Sequence, residues 1–542
     1  MCKIYFPQFK NGKSGFKIHP GLTILDIAQR NNIKINAECG GKGTCGKCVV
    51  RIEKGIENLS PLNNIEKKFK LSNNERLSCQ ARIIKDEGDI VVYIKSFGRY
   101  EILKFGMERE VPVCPLFYRK NGKIYRGEKE IDEYRGKIYG LAIDVGTTTV
   151  VFDLVDLENG NVIATVAKTN PQISFGNDVI SRIEYVSVDK VQKRYLSEDE
   201  KKERIKKLQK VVIDMINNSI EEISEKYGEN LEENIYYVVV AGNSTMRNLF
   251  FGIDVSSLGV SPYEPLNKGP ITVKPEEVGL EINDKGEVYG IPLIGGHVGA
   301  DIVSDILASG LYQSEKICMI VDIGTNGEVV VGNKEKIISA SAAAGGAFEG
   351  ANISCGVGAI EGAIKKIEIV DGRVVYSTIG NKFPIGICGS GLIDLLAELL
   401  RHNIMSKNAK IKEDFYITGE IKITQKDIYQ LITSKAAIKT AEQILMKNYA
   451  INENELGKVF LSGGFGYFID VKNSIKIGLI PEVDEEKVVK IGNGALEGAR
   501  EILLCEERKK IAEKIAEKTI HIKTNEVEKD FDYIMAENMY FY

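Results

Sequence analysis

No stretch of this 542-residue chain approaches the ~20 apolar residues that a bilayer span requires, which excludes a helical membrane protein. Neither sign of charge prevails: 72 Lys+Arg against 76 Asp+Glu leave a formal net charge of −4, and that balance argues against a binder of nucleic-acid backbones. The first residues, MCKIYFPQFKNGKSGF, lack the basic start and apolar block of a secretory signal, and most of the ten cysteines stand singly. Both features lead to the expectation of a reducing, cytoplasmic setting. G-x-x-x-x-G-K-[ST] does not occur, so a nucleotide would have to be held by some other device. What is present is ordinary for a soluble globular protein, 43% hydrophobic and 27% charged, and at roughly 150 residues per domain the length predicts three or four domains.

Four cysteines break the scatter. Cys39, Cys45, Cys48 and Cys79 lie in CGGKGTCGKC and RLSC with the spacing C-x5-C-x2-C-x30-C. Three thiols crowded into one glycine-rich loop with a distant fourth favour an iron–sulfur cluster over structural zinc, which prefers two short C-x2-4-C pairs. The loop is too tight for disulfides. Relative to the plant-type C-x4-C-x2-C pattern it carries one extra residue and resembles the adrenodoxin-like variant of [2Fe–2S] ferredoxins. Gly40, Gly41, Gly43 and Gly46 let the backbone wrap closely and aim N–H groups at sulfur. The flanks predict a β-grasp domain over 1–95: a hairpin around Asn11-Gly12, a helix from near Thr23, strands at CVVRIEKG and DIVVYI. Residues 96–138 read as a connector with a hairpin at Asn121-Gly122, and Cys2, Cys114, Cys318, Cys355, Cys388 and Cys505 as inert thiols.

At Tyr139 the texture changes. LAIDVGTTTVVFDLV is a buried strand ending at Asp144, a turn of Gly146, Thr147, Thr148 and Thr149, and a second strand. The unit recurs as ICMIVDIGTNGEVVVGN, with Asp322 in the place of Asp144 and Gly324, Thr325, Asn326 and Gly327 in the turn. Each turn can offer N–H and hydroxyl donors to phosphates, and an Asp at each strand end can reach Mg²⁺ through water. A third glycine turn in VFLSGGFGYF places Gly463 and Gly464 where a nucleotide could approach the backbone. Glu349, in AAAGGAFEGANISCG, reads either as a water-orienting acid or as a structural carboxylate. Helices are predicted after capping boxes at Ser197/Glu200 and Thr424/Asp427 and over GLIDLLAELLRHN.

The ordered trio of turns resembles the acetate-kinase, sugar-kinase, Hsp70 and actin superfamily. That resemblance implies a multidomain α+β and α/β protein: the β-grasp ferredoxin domain followed by two ribonuclease-H-like halves, 139–315 and 316–542, with ATP between them. With the cysteine loop added, the chain resembles the reductive activators of corrinoid proteins through CGGKGTCGKC, RLSCQ, LAIDVGTTTV, AGNSTM, GGHVGADI, DIGTNGEVV, FEGANISCG, ICGSGLID and LSGGFG. The resemblance implies that Cys39, Cys45, Cys48 and Cys79 hold a [2Fe–2S] cluster and that Asp144, Asp322 and the three glycine turns hold ATP–Mg²⁺. It implies an ATP-hydrolysing activity that returns cobalt(II) corrinoid to cobalt(I), with a corrinoid protein of a methyltransferase system and a ferredoxin-like electron donor as partners. It leaves room for a homodimer and calls for neither nucleic acid nor membrane. The alternatives are an activator of the 2-hydroxyacyl-CoA dehydratase type, a small-metabolite kinase with a redox-sensing ferredoxin domain, and a non-enzymatic electron carrier.

Overall fold

The computed structural model describes residues 3–7, 15–31, 33, 35, 37, 41–44, 46, 48–69, 71–85, 87–94, 111–189, 192–228, 230–324, 326–463 and 469–541. They form two compact units, residues 1–98 with 169–215, and residues 99–168 with 216–542. Among the described residues no helix is long and apolar enough to cross a membrane.

The first unit contains a five-stranded sheet. Strands β1 (Lys3–Tyr5), β2 (Phe16–Lys17), β3 (Val49–Lys54), β4 (Glu75–Leu77) and β5 (Ile90–Ile94) lie in the order β2-β1-β5-β3-β4. β1 and β5 are parallel, whereas β1/β2, β3/β4 and β3/β5 are antiparallel, which is the β-grasp topology. The alternation of IVVYI explains β5, whose Ile90, Val92 and Ile94 are buried while Val91 and Tyr93 are half-buried. Helix α1 (Ile24–Arg30) buries Ile24, Leu25, Ile27 and Ala28 in the same core. It starts where the sequence places it: Asp26 N–H donates to Thr23 Oγ1 at 3.0 Å and Thr23 N–H to Asp26 Oδ2 at 2.8 Å. The Asn11-Gly12 turn lies outside the described residues. Helix α2 (Val179–Ser187) belongs to this unit, as does the start of α3 (Glu198–Tyr227), where Ser197 N–H donates to Glu200 Oε2 at 2.8 Å and Glu200 N–H to Ser197 Oγ at 3.4 Å.

The second unit begins with a correction. Part of the expected connector is a three-stranded antiparallel meander of β6 (Phe117–Lys120), β7 (Lys123–Arg126) and β8 (Lys129–Glu133), turning at Asn121-Gly122 with φ of 51° and 75°. Phe117 and Ile124 are fully buried, so the segment has a core face that its frequent charges obscure in the sequence. Cys114 and Cys505 are likewise not inert thiols: a disulfide joins them where their backbones form an isolated parallel bridge. A separation of 391 residues hides that pairing from any local reading.

Two six-stranded sheets follow, and they express the internal repeat. In the first, β9 (Tyr139–Val145), β10 (Thr149–Asp156), β11 (Val162–Thr169), β12 (Ile235–Ala241), β13 (Ile271–Val273) and β14 (Glu287–Gly290) lie in the order β11-β10-β9-β12-β14-β13. In the second, β15 (Cys318–Ile323), β16 (Gly327–Gly332), β17 (Ile337–Ala342), β18 (Lys458–Ser462), β19 (Val488–Gly492) and β20 (Ile520–His521) lie in the order β19-β18-β15-β16-β17-β20. Each sheet has an antiparallel hairpin, β9/β10 or β15/β16, whose first strand is flanked on its other side by parallel strands, β12 and β14 or β18 and β19. The central strands are buried on both faces, which is why they read as unbroken apolar runs. Helices α4 (Ser244–Phe250), α5 (Ala300–Ser309) and α8 (Gly494–Leu504) belong with these sheets, and α5 packs on α8. The second sheet shares its core with α6 (Gly389–Arg401) and α7 (Gln425–Tyr449).

Candidate functional site

The repeat brings two carboxylates to matching strand ends. Asp144 is the penultimate residue of β9 and Asp322 that of β15, with Val151 and Glu328 opposite them across the hairpins. One cleft is lined by Asp144, Gly146, Thr147, Thr148 and Thr149 from the first half, by Asp322, Gly324 and Asn326 from the second, and by Gly463 and Glu349. Gly327 is not part of that lining: it opens β16, where an added Cβ would lie 2.6 Å from Ile438 Cγ1. Thr325 and Gly464 lie outside the described residues.

The cleft holds residues that sequence reasoning left off its list, namely Asn243, Asp301, Glu328, Ser462 and Asn493. Two of them are helix caps with a second task. Asn243 accepts from Thr245 N–H at 3.1 Å and Met246 N–H at 3.0 Å, and its Nδ2 donates to Thr147 Oγ1 at 2.9 Å. Asn493 accepts from Leu496 N–H at 2.9 Å and donates to Asp144 Oδ2 at 2.8 Å. Each therefore fixes a cleft group against a helix N-terminus. The available signal was texture: AGNSTM and IGNGALEG each follow an apolar strand with a Gly-Asn step into a helix. Thr148 Oγ1 donates to Glu349 Oε2 at 3.5 Å, the long contact that links the first turn to that acid.

Burial governs the electrostatics. It pushes the Asp144 carboxyl up to about 6, against the hydrogen bond from Asn493. Asp301, also raised chiefly by burial and further by Asp144, stands at about 7, and Asp322, raised by burial and then by Asp301, Asp144 and Glu349, at about 8. Asp305, behind the lining, and Glu328 are raised well above the ordinary range, again first by burial. Ser462 Oγ donates to Asp305 Oδ1 at 2.8 Å, yet Asp305 Oδ2 and Asp322 Oδ1 are buried with no donor among the described residues beyond a proton that the two carboxyls share. Orphaned carboxylate oxygens in a wall of like charge fit a divalent cation. Among the described residues no three His, Cys, Asp or Glu are gathered to chelate a metal directly. Gly463 has φ +112°, and a Cβ there would run into the Ile323 carbonyl and come within 2.9 Å of Asp322 Oδ1, so only glycine leaves this wall open.

The second candidate centre is the cysteine loop. Cys48 and Cys79 are buried with their sulfurs 3.3 Å apart, near the about 3.8 Å expected of two thiolates on one tetrahedral metal with bonds of about 2.3 Å. Gln80 Nε2 donates to Cys79 Sγ at 3.4 Å and to the Gly41 carbonyl at 3.1 Å, tying the fourth cysteine to the loop. Gly46, at φ +69°, faces the Phe69 ring, which a Cβ would meet at 2.6 Å. The strand that delivers Cys79 is pinned by a buried bidentate pair: Arg76 Nε and Nη2 donate to Glu66 Oε1 and Oε2, each at 2.8 Å. This sulfur pair and its donors fit an iron–sulfur cluster. Cys39 and Cys45 lie outside the described residues.

A β-grasp cysteine loop on one chain with a duplicated actin- and sugar-kinase-like fold defines an iron–sulfur protein built onto an ATPase-type scaffold. Comparison with known proteins agrees in each part: residues 9–83 match the 2Fe-2S iron-sulfur cluster binding domain, 139–314 the RACo middle region, and 316–542 the C-terminal domain of RACo, the ASKHA domain. The chain is 30% identical to the corrinoid activation enzyme RamQ of Eubacterium limosum, over 92% of this chain and 93% of that one. It is 27% identical to the [Co(II) methylated amine-specific corrinoid protein] reductase of Methanosarcina barkeri, over 73% and 76% of the two chains. A solved structure, the reductive activator for corrinoid,iron-sulfur protein, superposes with a TM-score of 0.72 at 30% identity, covering 100% of this chain and 98% of that one. The chain belongs to the family of reductive activators of corrinoid proteins.

Proposed function

We propose that this chain couples ATP cleavage in the carboxylate-lined cleft to the transfer of one electron onto cobalt(II) of a corrinoid protein, regenerating the cobalt(I) that methyl transfer requires. The observation that carries the reading is the pair of orphaned oxygens on Asp322 and Asp305 among five raised carboxyls, between turns rich in N–H and hydroxyl donors. Asp144 and Asp322 would hold Mg²⁺ through water, with Asn493 keeping Asp144 aimed. Gly146–Thr149 and Gly324–Asn326 would meet the phosphates, with Gly463 and Gly464 beside the nucleotide. Glu349 would orient the attacking water, steadied by the Thr148 hydroxyl. Cys39, Cys45, Cys48 and Cys79 would hold a [2Fe–2S] cluster, which when bound supplies one-electron storage at low potential.

Energy input is needed because cobalt(I) is a strong reductant, and each ~59 mV of uphill gap costs a factor of ten in equilibrium for one electron. A cleft that prefers one state of the bound partner shifts the partner's redox equilibrium by its differential affinity. The test is anaerobic: the cluster-loaded chain, a low-potential ferredoxin as donor and a cobalt(II) corrinoid protein are mixed with and without Mg–ATP while the cobalt absorbance is followed. Cobalt(I) is expected only with ATP, and Asp322→Asn is expected to slow its appearance about 100-fold with the visible cluster spectrum intact. Equal reduction without ATP, or full rate in the variant, refutes the reading.

A further inference from the structure

Far from the carboxylate wall, the second unit has a pocket of opposite character. It is lined by Arg401, Lys407, Lys410, Lys412 and Lys476 with Ile404, Met405 and Phe541 among their neighbours, and no Asp or Glu lines it. Arg401 is already engaged, paired with Glu398 and donating to Asn473 Oδ1 at 2.9 Å. The four lysines are exposed and make no ion pair among the described residues. Three come from one short stretch between α6 and α7, and the helix Val471–Ile477 brings the fourth beside them. On a chain whose net charge is −4, four uncompensated cations facing one concavity attract an acidic surface and repel none of their own.

The position of the pocket joins it to the cleft. Helix α6 begins at Gly389, which lines the carboxylate cleft, and ends at Arg401, which lines the basic pocket. At about 1.5 Å per residue this is a rod of about 20 Å. It is held along its length: Ile367 N–H donates to Asp394 at 3.3 Å, Ile369 N–H to Glu398 at 2.7 Å, and Asn473 Nδ2 to Asp394 at 2.7 Å. Asn473 lies in the same short helix as Lys476, so two walls of the pocket are fastened to α6. One continuous helix thus joins the cleft to the pocket.

We propose that this basic pocket is where the partner protein docks, through an acidic face, and that α6 carries the nucleotide state to it. The inference rests on the reading above, in which that partner is a corrinoid protein, and names the surface by which the ATPase unit grips it. Charge complementarity selects a protein face over a buried small ligand, because the lysine ammoniums stand in solvent at the rim.

The experiment reverses the charges. In the cluster-loaded chain carrying Lys407→Glu, Lys410→Glu and Lys412→Glu, association with a cobalt(II) corrinoid protein that the wild-type chain reduces is expected to slow about tenfold or more at low salt, and the gap to close at high salt. Calorimetric ATP binding and the cluster spectrum are expected to stay as in the wild type, and the triple Lys→Gln variant to fall between. Unchanged association overturns the proposal, as does a loss that salt leaves untouched. Loss of association with the ferredoxin donor alone overturns it as well, and so does tripolyphosphate occupying the pocket without slowing the corrinoid protein. If the wild-type chain reduces no corrinoid protein, the functional reading itself falls, a result distinct from a variant as active as its parent.

Discussion

Asp322 is half-buried beside Asp301, Asp144 and Glu349, and desolvation first, then those three charges, lift its carboxyl to about 8. An unfolded Asp titrates near about 3.9. Below that value both states keep the proton and the contribution to stability is whole. As pH rises further the unfolded chain releases protons that the folded cleft retains, so stability drains away, through about 6 for Asp144 and about 8 for Asp322. Metal-free protein should therefore melt lower at pH 8.5 than at pH 6, by on the order of 5 °C, and Asp322→Asn should flatten the slope. Mg–ATP should flatten it too, because a cation replaces the protons. Thermal melts in chelator across that range decide the matter, and a melting temperature that rises or stays level would remove the carboxylate wall from the account.

Helix α7 illustrates what one element asks of its cap. Thr424 and Asp427 form the expected box, with Thr424 N–H donating to Asp427 Oδ2 at 2.9 Å and Asp427 N–H to Thr424 Oγ1 at 3.3 Å. Asp427, only 2% exposed, also accepts from Ser354 N–H at 2.6 Å and Ser354 Oγ at 2.7 Å, which anchors the loop that follows Glu349. Thr424→Ala should then cost about 1 kcal/mol, as a lost cap does. Asp427→Ala should cost about 2–4 kcal/mol, since it also strands buried donors, and should lower ATP affinity through the loosened loop. Urea unfolding of the two variants checks this, and equal losses would reduce Asp427 to a cap. The same contrast explains what the sequence made legible. The helix start near Thr23, the capping boxes at Ser197 and Thr424, the alternation in Ile90–Ile94 and the repeated Asp-x-Gly-Thr turns are signals within a few residues of one another. The Asn493–Asp144 bond spans 349 positions, Cys114 meets Cys505 across 391, and Ser354 finds Asp427 across 73, with nothing local to announce them. Glu328 was overlooked for another reason: it follows the Gly324–Gly327 turn directly, but alternation alone gives no hint that a strand would turn an acid inward, toward the cleft.

At the scale of the molecule, the order of the motifs was more informative than any one of them, because the β-grasp cysteine spacing and the duplicated strand–turn–strand units each imply a fold that a lone glycine turn does not. Carrying both on one polypeptide has a thermodynamic reason. In the proposed mechanism nucleotide shifts the cobalt equilibrium only through the chain's differential affinity for the two states of the partner, so the unit that binds the partner and the unit that delivers the electron must serve the same partner molecule at the same time. One chain guarantees that; two chains would have to meet on the partner by chance. The consequence is testable by mixing two defective proteins. Cys48→Ser should lose the cluster absorbance and all reduction of the corrinoid protein while still binding ATP, and Asp322→Asn should keep the cluster while losing about 100-fold in ATP-dependent reduction. An equimolar mixture should reduce cobalt no faster than the sum of its parts, because each partner molecule is either gripped by a chain with no electron or offered an electron by a chain with no working cleft. A mixture that recovers a substantial share of the wild-type rate would mean that cluster and cleft work across chains, and the covalent joining of the two units would then need a different explanation.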